Sequence, residues 1–171
     1  MQTRRAETTD EEALASVRRA SILGLAAPAI SVEQAEAWAN GAPADRIARA
    51  IREHDVWVAV EEVAIGWVEV DRDRVAALYV SPTCSRRGVG SNLLLLAETA
   101  VRSAGYATAR LEASQNALGF YLRRGYLRCG PQLPDGSWPL TKDLHWPNPA
   151  LSRPAPPAAE RQLSASIDSG N

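Results

Sequence analysis

Residues 78–94 read LYVSPTCSRRGVGSNLL, a pattern that predicts a strand, a glycine-containing loop and a helix in succession. Its apolar, β-branched beginning predicts a strand, which Pro82 ends because proline cannot donate to a sheet. Gly88 and Gly90 then let the backbone turn and approach a ligand closely. The apolar residues that follow predict a helix, whose unpaired first N–H groups attract an anion, most often a phosphate. Arg86 and Arg87 add charged donors for that anion.

Two common phosphate-binding motifs do not fit this loop. A Walker loop requires Gly-Lys-Ser/Thr, whereas the only lysine of the chain is Lys142. A dinucleotide-binding fingerprint requires a third glycine, and Leu93 stands at that position. Taken alone, the loop therefore fits either an anion site or an ordinary strand-to-helix turn.

The elements before the loop are helices followed by strands. Strand patterns at residues 56–60, 63–70 and 74–80 are separated by short polar links, which predict an antiparallel meander. Helical spacing of apolar residues comes before them. A first helix is predicted over residues 10–26 and a third over residues 45–53. Between them, Ser31 and Gln34 form a capping box that opens a short helix running through Trp38.

The elements after the loop alternate. They are a helix over 88–104, a strand over 107–113, a helix over 116–124 and two closing strands over 126–129 and 138–145. Because a helical crossover joins the strand at 74–80 to that at 107–113, these two strands should run parallel. The sequence thus predicts an α+β fold, a mixed and mostly antiparallel sheet of about six to seven strands flanked by helices. A crevice is expected near the carboxyl end of strand 74–80.

Composition excludes several classes of protein. The chain has 171 residues, and 19 basic against 20 acidic residues give a net charge of −1, which argues against a nucleic-acid-binding protein. No apolar run is long enough for a membrane span. Cys84 and Cys129 lack disulfide-framework and metal-site patterns, so we expect a reduced, cytoplasmic protein without a metal. Five of the 11 prolines follow Trp146, so we expect one folded domain over 1–146 and a disordered tail over 147–171.

A second informative segment, LEASQNALGFYLRRGY, covers residues 111–126. Asn116 follows a strand and opens a helix, as a common N-cap would. Tyr121 is typical of a core aromatic residue with its hydroxyl at the surface. Each residue on its own therefore has an ordinary structural explanation.

Together, the two segments resemble the GNAT superfamily of acyl-CoA-dependent N-acetyltransferases. In that family a strand ending in valine and proline leads to a Q/R-x-x-G-x-G/A loop, which Val80, Pro82, Gly88 and Gly90 match, while Ser85 and Arg86 depart from the usual Gln/Arg and Gly. A later asparagine precedes Phe-Tyr and Gly-Phe pairs, and the matches here are Asn116, Phe120-Tyr121 and Gly125-Tyr126. Residues 30–38, ISVEQAEAW, resemble a subgroup that carries Ser-x-x-Gln-x-x-x-Trp. The resemblance covers roughly residues 1–146.

The resemblance implies transfer of an acetyl group from acetyl-CoA to an amine by direct attack in a ternary complex. The backbone of Leu78, Tyr79 and Val80 would pair with the pantetheine arm, and Asn116 would hydrogen-bond to it. Tyr121 would act as the general acid at the sulfur, because a phenol stays protonated at neutral pH. The pyrophosphate would lie against the loop residues Arg86, Arg87, Gly88, Val89, Gly90 and Ser91.

The general base is less well defined by the sequence. Some family members use a glutamate near the start of the strand at 74–80, where this chain has Arg74. Glu69 and Glu112 are candidates, although each is also typical of a solvent-facing strand residue, and a water chain is a further alternative. Three tryptophans fit either an acceptor pocket or the core. They are Trp38, Trp57 and Trp67.

Other roles and partners follow from the same residues. Cys84 lies in the loop but neither histidine is near it in sequence, so an ordinary thiol is favoured over a nucleophile. The rival functions are a non-catalytic acyl-CoA-binding module of the same fold and a protein-interaction domain. The expected partner is a small-molecule or peptide amine, with no nucleic acid and no membrane, and a homodimer is left open.

Overall fold

The computed structural model describes residues 1–25 and 30–145, so the tail predicted over 147–171 lies outside the described residues. The strands are β1 (Gln2–Arg5), β2 (Asp55–Val60), β3 (Ala64–Asp71), β4 (Arg74–Val80), β5 (Thr108–Ala113), β6 (Leu127–Arg128) and β7 (Trp138–Asp143). The helices are α1 (Glu11–Leu25), α2 (Val32–Asn40), α3 (Arg46–Glu53), α4 (Val89–Ser103) and α5 (Leu118–Leu122), with 3₁₀ turns at Thr8–Asp10 and Pro82–Cys84. In the described ranges, no helix is long and apolar enough to cross a membrane.

One mixed sheet of seven strands organises the fold, in the order β1-β2-β3-β4-β5-β7-β6. The antiparallel meander β2-β3-β4 and the parallel pair β4-β5 confirm the predicted topology. β1 was not predicted: it is a short, polar edge strand paired with β2, and so lacks the apolar alternation of a strand that buries one face.

The parallel pair opens a crevice in the middle of the sheet. β4 and β5 pair only at Arg74 and Arg110, near the start of β4. Beyond that point β4 remains paired with β3, and β5 remains paired with β7. The facing edges of β4 and β5 therefore separate towards the carboxyl ends of the strands, where the crevice was predicted.

The two faces of the sheet carry separate apolar clusters. Val68 and Val70 of β3 belong to the cluster that includes Leu93 of α4. Trp67, the residue before Val68, packs with Leu14 of α1 and other residues on the opposite face, as the two-residue strand period requires. This double-sided burial explains why β3 is almost entirely buried along its length.

Local sequence signals account for the helix ends nearest the crevice. Ser31 Oγ accepts a hydrogen bond from the Gln34 backbone N–H at 3.2 Å, and Gln34 Oε1 accepts one from the Ser31 N–H at 3.0 Å, which confirms the predicted capping box. α5 is shorter than the helix predicted over 116–124, and its N-cap is Ala117 rather than Asn116. Asn116 is therefore available for contacts outside the helix.

Candidate active site

Two cavities meet at the opening between β4 and β5. The first, here called the narrow cavity, has a volume of about 350 Å³ and is lined by α1, the end of β4, the loop at 84–90 and α5. The second, the wide cavity, has a volume of about 1070 Å³ and is lined by α2, β4, residues 112–117 and the loop at 132–138. Leu78, Tyr79, Asn116 and Tyr121 line both cavities. A ligand in either cavity would therefore reach the same few side chains.

The glycine loop closes one end of the narrow cavity. Gly88 is the N-cap of α4 and has a φ of 84°, a left-handed conformation that glycine adopts at little cost. Arg86 also has a positive φ, 62°, which is strained for a residue with a Cβ. Arg86 and Gly90 both line the cavity. The positive end of the α4 dipole and Arg86 thus lie at the same end of this cavity.

The neighbouring arginine takes a different direction. Arg87 Nη2 donates to Glu61 Oε1 at 2.9 Å, and Arg87 Nη1 donates to Cys84 Sγ at 3.3 Å. Arg87 lines neither cavity, whereas Cys84 is buried and lines the narrow one. Both arginines are predicted to contact phosphate, but Arg86 lines the narrow cavity whereas Arg87 contacts Glu61 and Cys84.

Arg124 is a basic residue near the loop that the sequence did not single out. Its guanidinium carbon lies 3.7 Å from the centroid of the Phe120 ring, and it donates to Ser91 Oγ at the start of α4. Burial, followed by repulsion from Arg123, lowers the pKa of Arg124. In the sequence, Arg124 stands out only as the second residue of the basic pair Arg123-Arg124.

Tyr121 is held in place by aromatic packing at the junction of the cavities. Its ring centroid lies 5.0 Å from that of Phe120 and 5.6 Å from that of Tyr126, both in edge-on arrangements. The side chain is only 7% exposed. Burial above all, and then the proximity of Tyr79, raise the pKa of Tyr121 well above its usual range, so the phenol keeps its proton at neutral pH.

The buried tyrosines predict how stability changes at high pH. Burial raises the pKa of both Tyr121 and Tyr126, whereas tyrosine in the unfolded chain ionises near about pH 10. Above that pH the unfolded state loses protons that the folded state keeps, so the free energy of unfolding should fall as pH rises. Thermal unfolding between pH 8 and about 11 would show this as a decreasing midpoint. Tyr121→Phe should make the decrease shallower, and an identical slope in the variant would contradict the assignment.

Asn116 joins the two sides of the crevice. Its Nδ2 donates to the carbonyl oxygen of Leu25, the last residue of α1, at 3.1 Å. The same side chain lines both cavities. Asn116 thus lies beside the unpaired edge of β4, where a ligand in extended conformation would pass.

Comparison with known proteins assigns this arrangement to a family. A model of the acetyltransferase (GNAT) domain matches residues 26–140. The chain belongs to the GNAT acetyltransferase family. A GCN5-related N-acetyltransferase from Rhodopseudomonas palustris is 26% identical, with a TM-score of 0.76 over 83% of this chain and 94% of that one.

Two further GNAT structures share the fold. The PaiA N-acetyltransferase of Thermoplasma acidophilum, determined in complex with coenzyme A, is 24% identical with a TM-score of 0.71 over 83% of this chain and 98% of that one. YncA of Salmonella typhimurium, described as a putative acetyltransferase with its cofactor acetyl-CoA, is 20% identical with a TM-score of 0.59 over 92% and 98% of the two chains. The predicted α+β architecture is thus that of the GNAT fold.

The two glutamates considered as bases lie in different surroundings in this GNAT domain. Glu69 is 1% exposed and lines neither cavity. Its carboxylate pairs with Arg46 and lies 2.6 Å from Nδ1 of His54. Glu112 is half exposed, pairs with Arg74 and lines the wide cavity. Of the two, Glu112 is therefore the one that lines a cavity together with Tyr121.

The three tryptophans considered for an acceptor pocket lie in different parts of this GNAT domain. Trp38 lines both cavities and is 38% exposed. Trp67 is fully buried in the core, and Trp57 lies beneath the Arg5 guanidinium, whose carbon is 4.1 Å from the ring centroid. Within the described ranges, no group of three or more His, Cys, Asp or Glu side chains is placed to hold a metal ion.

Proposed function

We propose that the chain transfers an acetyl group from acetyl-CoA to an amine, with the two substrates held in the two cavities. The observation that carries this proposal is the meeting of the narrow and wide cavities at Tyr121 and the unpaired edge of β4. Two substrates bound in adjoining cavities can react directly, without an acyl-enzyme. The family and the fold support acetyl transfer, whereas the acceptor has to be inferred from the wide cavity.

The residues of the narrow cavity fit acetyl-CoA. Within residues 1–25 and 30–145, the edge of β4 at Leu78–Val80 has no strand partner on the side facing β5, so its backbone groups can pair with the amides of the pantetheine arm. Phosphate oxygens would meet the N–H groups at the start of α4, from Gly88 to Ser91, together with Arg86. A Cβ on Gly90 would lie 3.4 Å from the Phe120 ring, in van der Waals contact with it, so a side chain at this position would stand at the wall of the cavity. We propose Asn116 as a polar contact for the arm.

Tyr121 is proposed as the general acid. In the reaction the nitrogen–carbon bond forms, the carbon–sulfur bond breaks, one proton leaves the nitrogen and one joins the sulfur. Tyr121 faces both cavities and keeps its proton at neutral pH, because burial raises its pKa. Its hydroxyl would supply the proton for the departing thiolate and recover one from solvent after product release.

Glu112 is proposed as the group that accepts the amine proton, directly or through a water. It lines the wide cavity with Tyr121, whereas Glu69 is buried with Arg46 and His54 outside both cavities. Gln34 and Trp38, from the predicted Ser-x-x-Gln-x-x-x-Trp pattern, line the same cavity. We therefore assign that pattern to the acceptor side of the site.

Paired substitutions test the assignment of the base. Glu112→Gln should lower kcat/KM for an amine by about 100-fold at neutral pH and less at high pH, where more of the amine is already deprotonated. Glu69→Gln is the matched control and should alter stability more than the pH profile of kcat/KM, because its carboxylate is buried against Arg46 and His54 and lines neither cavity. The measurement is the release of the CoA thiol with an amine panel. A larger pH-dependent loss in Glu69→Gln would reverse the assignment.

The same assay tests the proposed function itself. The intact chain should release CoA thiol in the presence of at least one amine class and form the matching acetylated amine. Binding of acetyl-CoA without turnover of any amine would instead favour the non-catalytic acyl-CoA-binding module.

A further inference from the structure

The two cavities of the site carry opposite charge. Among the described residues, Arg86 is the only charged side chain that lines the narrow cavity. Within the same ranges, the only charged side chains that line the wide cavity are the carboxylates of Glu112 and Asp135. The narrow cavity is therefore suited to an anion and the wide cavity to a cation.

Asp135 is fixed in the loop between β6 and β7, at the wall of the wide cavity. Its Oδ1 accepts hydrogen bonds from the Ser137 backbone N–H at 3.0 Å and from Ser137 Oγ at 2.7 Å. The loop is closed by the Leu133 N–H, which donates to the Ser137 carbonyl at 2.8 Å. These hydrogen bonds from Ser137, rather than a neighbouring basic residue, hold the pKa of Asp135 below its usual range. The carboxylate is therefore charged at neutral pH and oriented by its own loop.

Glu112 differs from Asp135 because the Glu112 carboxylate already forms a salt bridge. It pairs with Arg74 across the start of the crevice. As the proposed base it would also lie next to the amine that reacts. Asp135 comes from a different segment of the cavity wall, so it can contact a more distant part of the same acceptor.

Aromatic side chains line the wide cavity together with these carboxylates. They include Trp38, Tyr79 and Trp138, and Trp138 is oriented by a hydrogen bond of 2.9 Å from its Nε1 to Gln115 Oε1. Aromatic faces attract cations and also pack against methylene groups. Arg128 lies 4.3 Å over the Trp138 ring and Arg18 lies 5.9 Å over the Tyr79 ring. The exposed Trp38 ring and the two carboxylates are therefore the part of the wall that fits an organic cation rather than a carboxylate or a phosphate.

We propose that the acceptor is an amine that carries a second positively charged group and no carboxylate, and that Asp135 selects for that second charge. This inference rests on the proposed function, since it names the substrate class of the same site. The reacting amine lies between Tyr121 and Glu112, and its far end extends to the loop at 132–138. An acceptor with a carboxylate at the far end would instead be repelled by Asp135.

Three acceptors that differ only at the far end test the proposal. They are diaminopentane, aminopentane and aminopentanoate, which end in an ammonium, a methyl group and a carboxylate. With the full chain and acetyl-CoA at low ionic strength, kcat/KM should be roughly five- to tenfold higher for diaminopentane than for aminopentane, and lowest for aminopentanoate. Added salt should reduce the difference, because a charge-based preference is screened.

Asp135→Asn keeps a side-chain oxygen for the Ser137 hydrogen bonds and removes only the charge. It should bring the ratio of kcat/KM for diaminopentane over aminopentane to about two, the statistical value for a diamine with two equivalent amino groups. Asp143→Asn is the control, because Asp143 contacts His145 and lines neither cavity, and it should keep the ratio. Equal use of the three acceptors by the intact chain, or an unchanged ratio in Asp135→Asn, would overturn the inference while leaving acetyl transfer intact. Failure of acetyl-CoA to react with any amine would instead contradict the proposed function.

Discussion

Replacing Tyr121 by phenylalanine should lower kcat for acetyl transfer by about 100-fold or more, with little change in affinity for acetyl-CoA. The reason is that only the hydroxyl is lost. The ring would keep its packing against Phe120 and Tyr126, so the shape of the junction between the cavities is preserved. Initial rates at saturating substrate, with a calorimetric titration of acetyl-CoA, would separate the lost chemistry from altered binding.

Tyr126→Phe is the matched control for this experiment. Tyr126 is fully buried beside Tyr121 but lines neither cavity. Loss of its hydroxyl should therefore leave kcat within about twofold of the unmodified chain, apart from any effect on stability. A similar loss of kcat in both variants would show that aromatic packing, rather than proton donation by Tyr121, limits the rate.

Replacing Trp67 by alanine should lower the free energy of unfolding by about 3–5 kcal/mol. Trp67 is 0% exposed, and its Nε1 donates to the Leu14 carbonyl oxygen of α1 at 3.0 Å. Its ring also contacts that of Tyr79, with the centroids 5.1 Å apart. The substitution would remove a large apolar surface and leave a cavity between the sheet and α1. Urea unfolding followed by circular dichroism measures the effect.

Trp38→Ala provides the comparison, because Trp38 is 38% exposed and lines the two cavities. It should cost less than about 1 kcal/mol of stability but raise KM for the amine. Equal losses of stability in the two tryptophan variants would contradict the assignment of Trp67 to the core and Trp38 to the site.

Much of the fold could be predicted from the sequence because its signals are local. The period of the apolar residues identifies the central strands and the main helices, and the crossover between β4 and β5 fixes their parallel direction. β1 could not be found in this way, since four mostly exposed residues at a sheet edge carry no two-residue alternation. The capping box at Ser31 was predicted because both partners lie within one helical turn.

Less of the site could be predicted, because contacts between distant segments decide the role of each charged residue. Arg86 and Arg87 are neighbours in sequence, yet one lines the narrow cavity and the other pairs with Glu61. Nothing local distinguishes Glu69 from Glu112, although one is buried with Arg46 and the other lines the wide cavity. Asp135 was not singled out at all, because only the folded loop between β6 and β7 brings it to the site.

A calorimetric titration of the full chain with acetyl-CoA shows whether the narrow cavity between β4 and β5 holds this cosubstrate. Gly90→Asp is the informative variant. A carboxylate in the first turn of α4 suits the helix dipole, so the fold should persist, but it would repel the phosphates and weaken binding by about 100-fold. We predict that the intact chain binds one acetyl-CoA and that Gly90→Asp binds it about 100-fold more weakly. No binding by the intact chain, or equal affinity in Gly90→Asp, would show that acetyl-CoA does not bind in the narrow cavity.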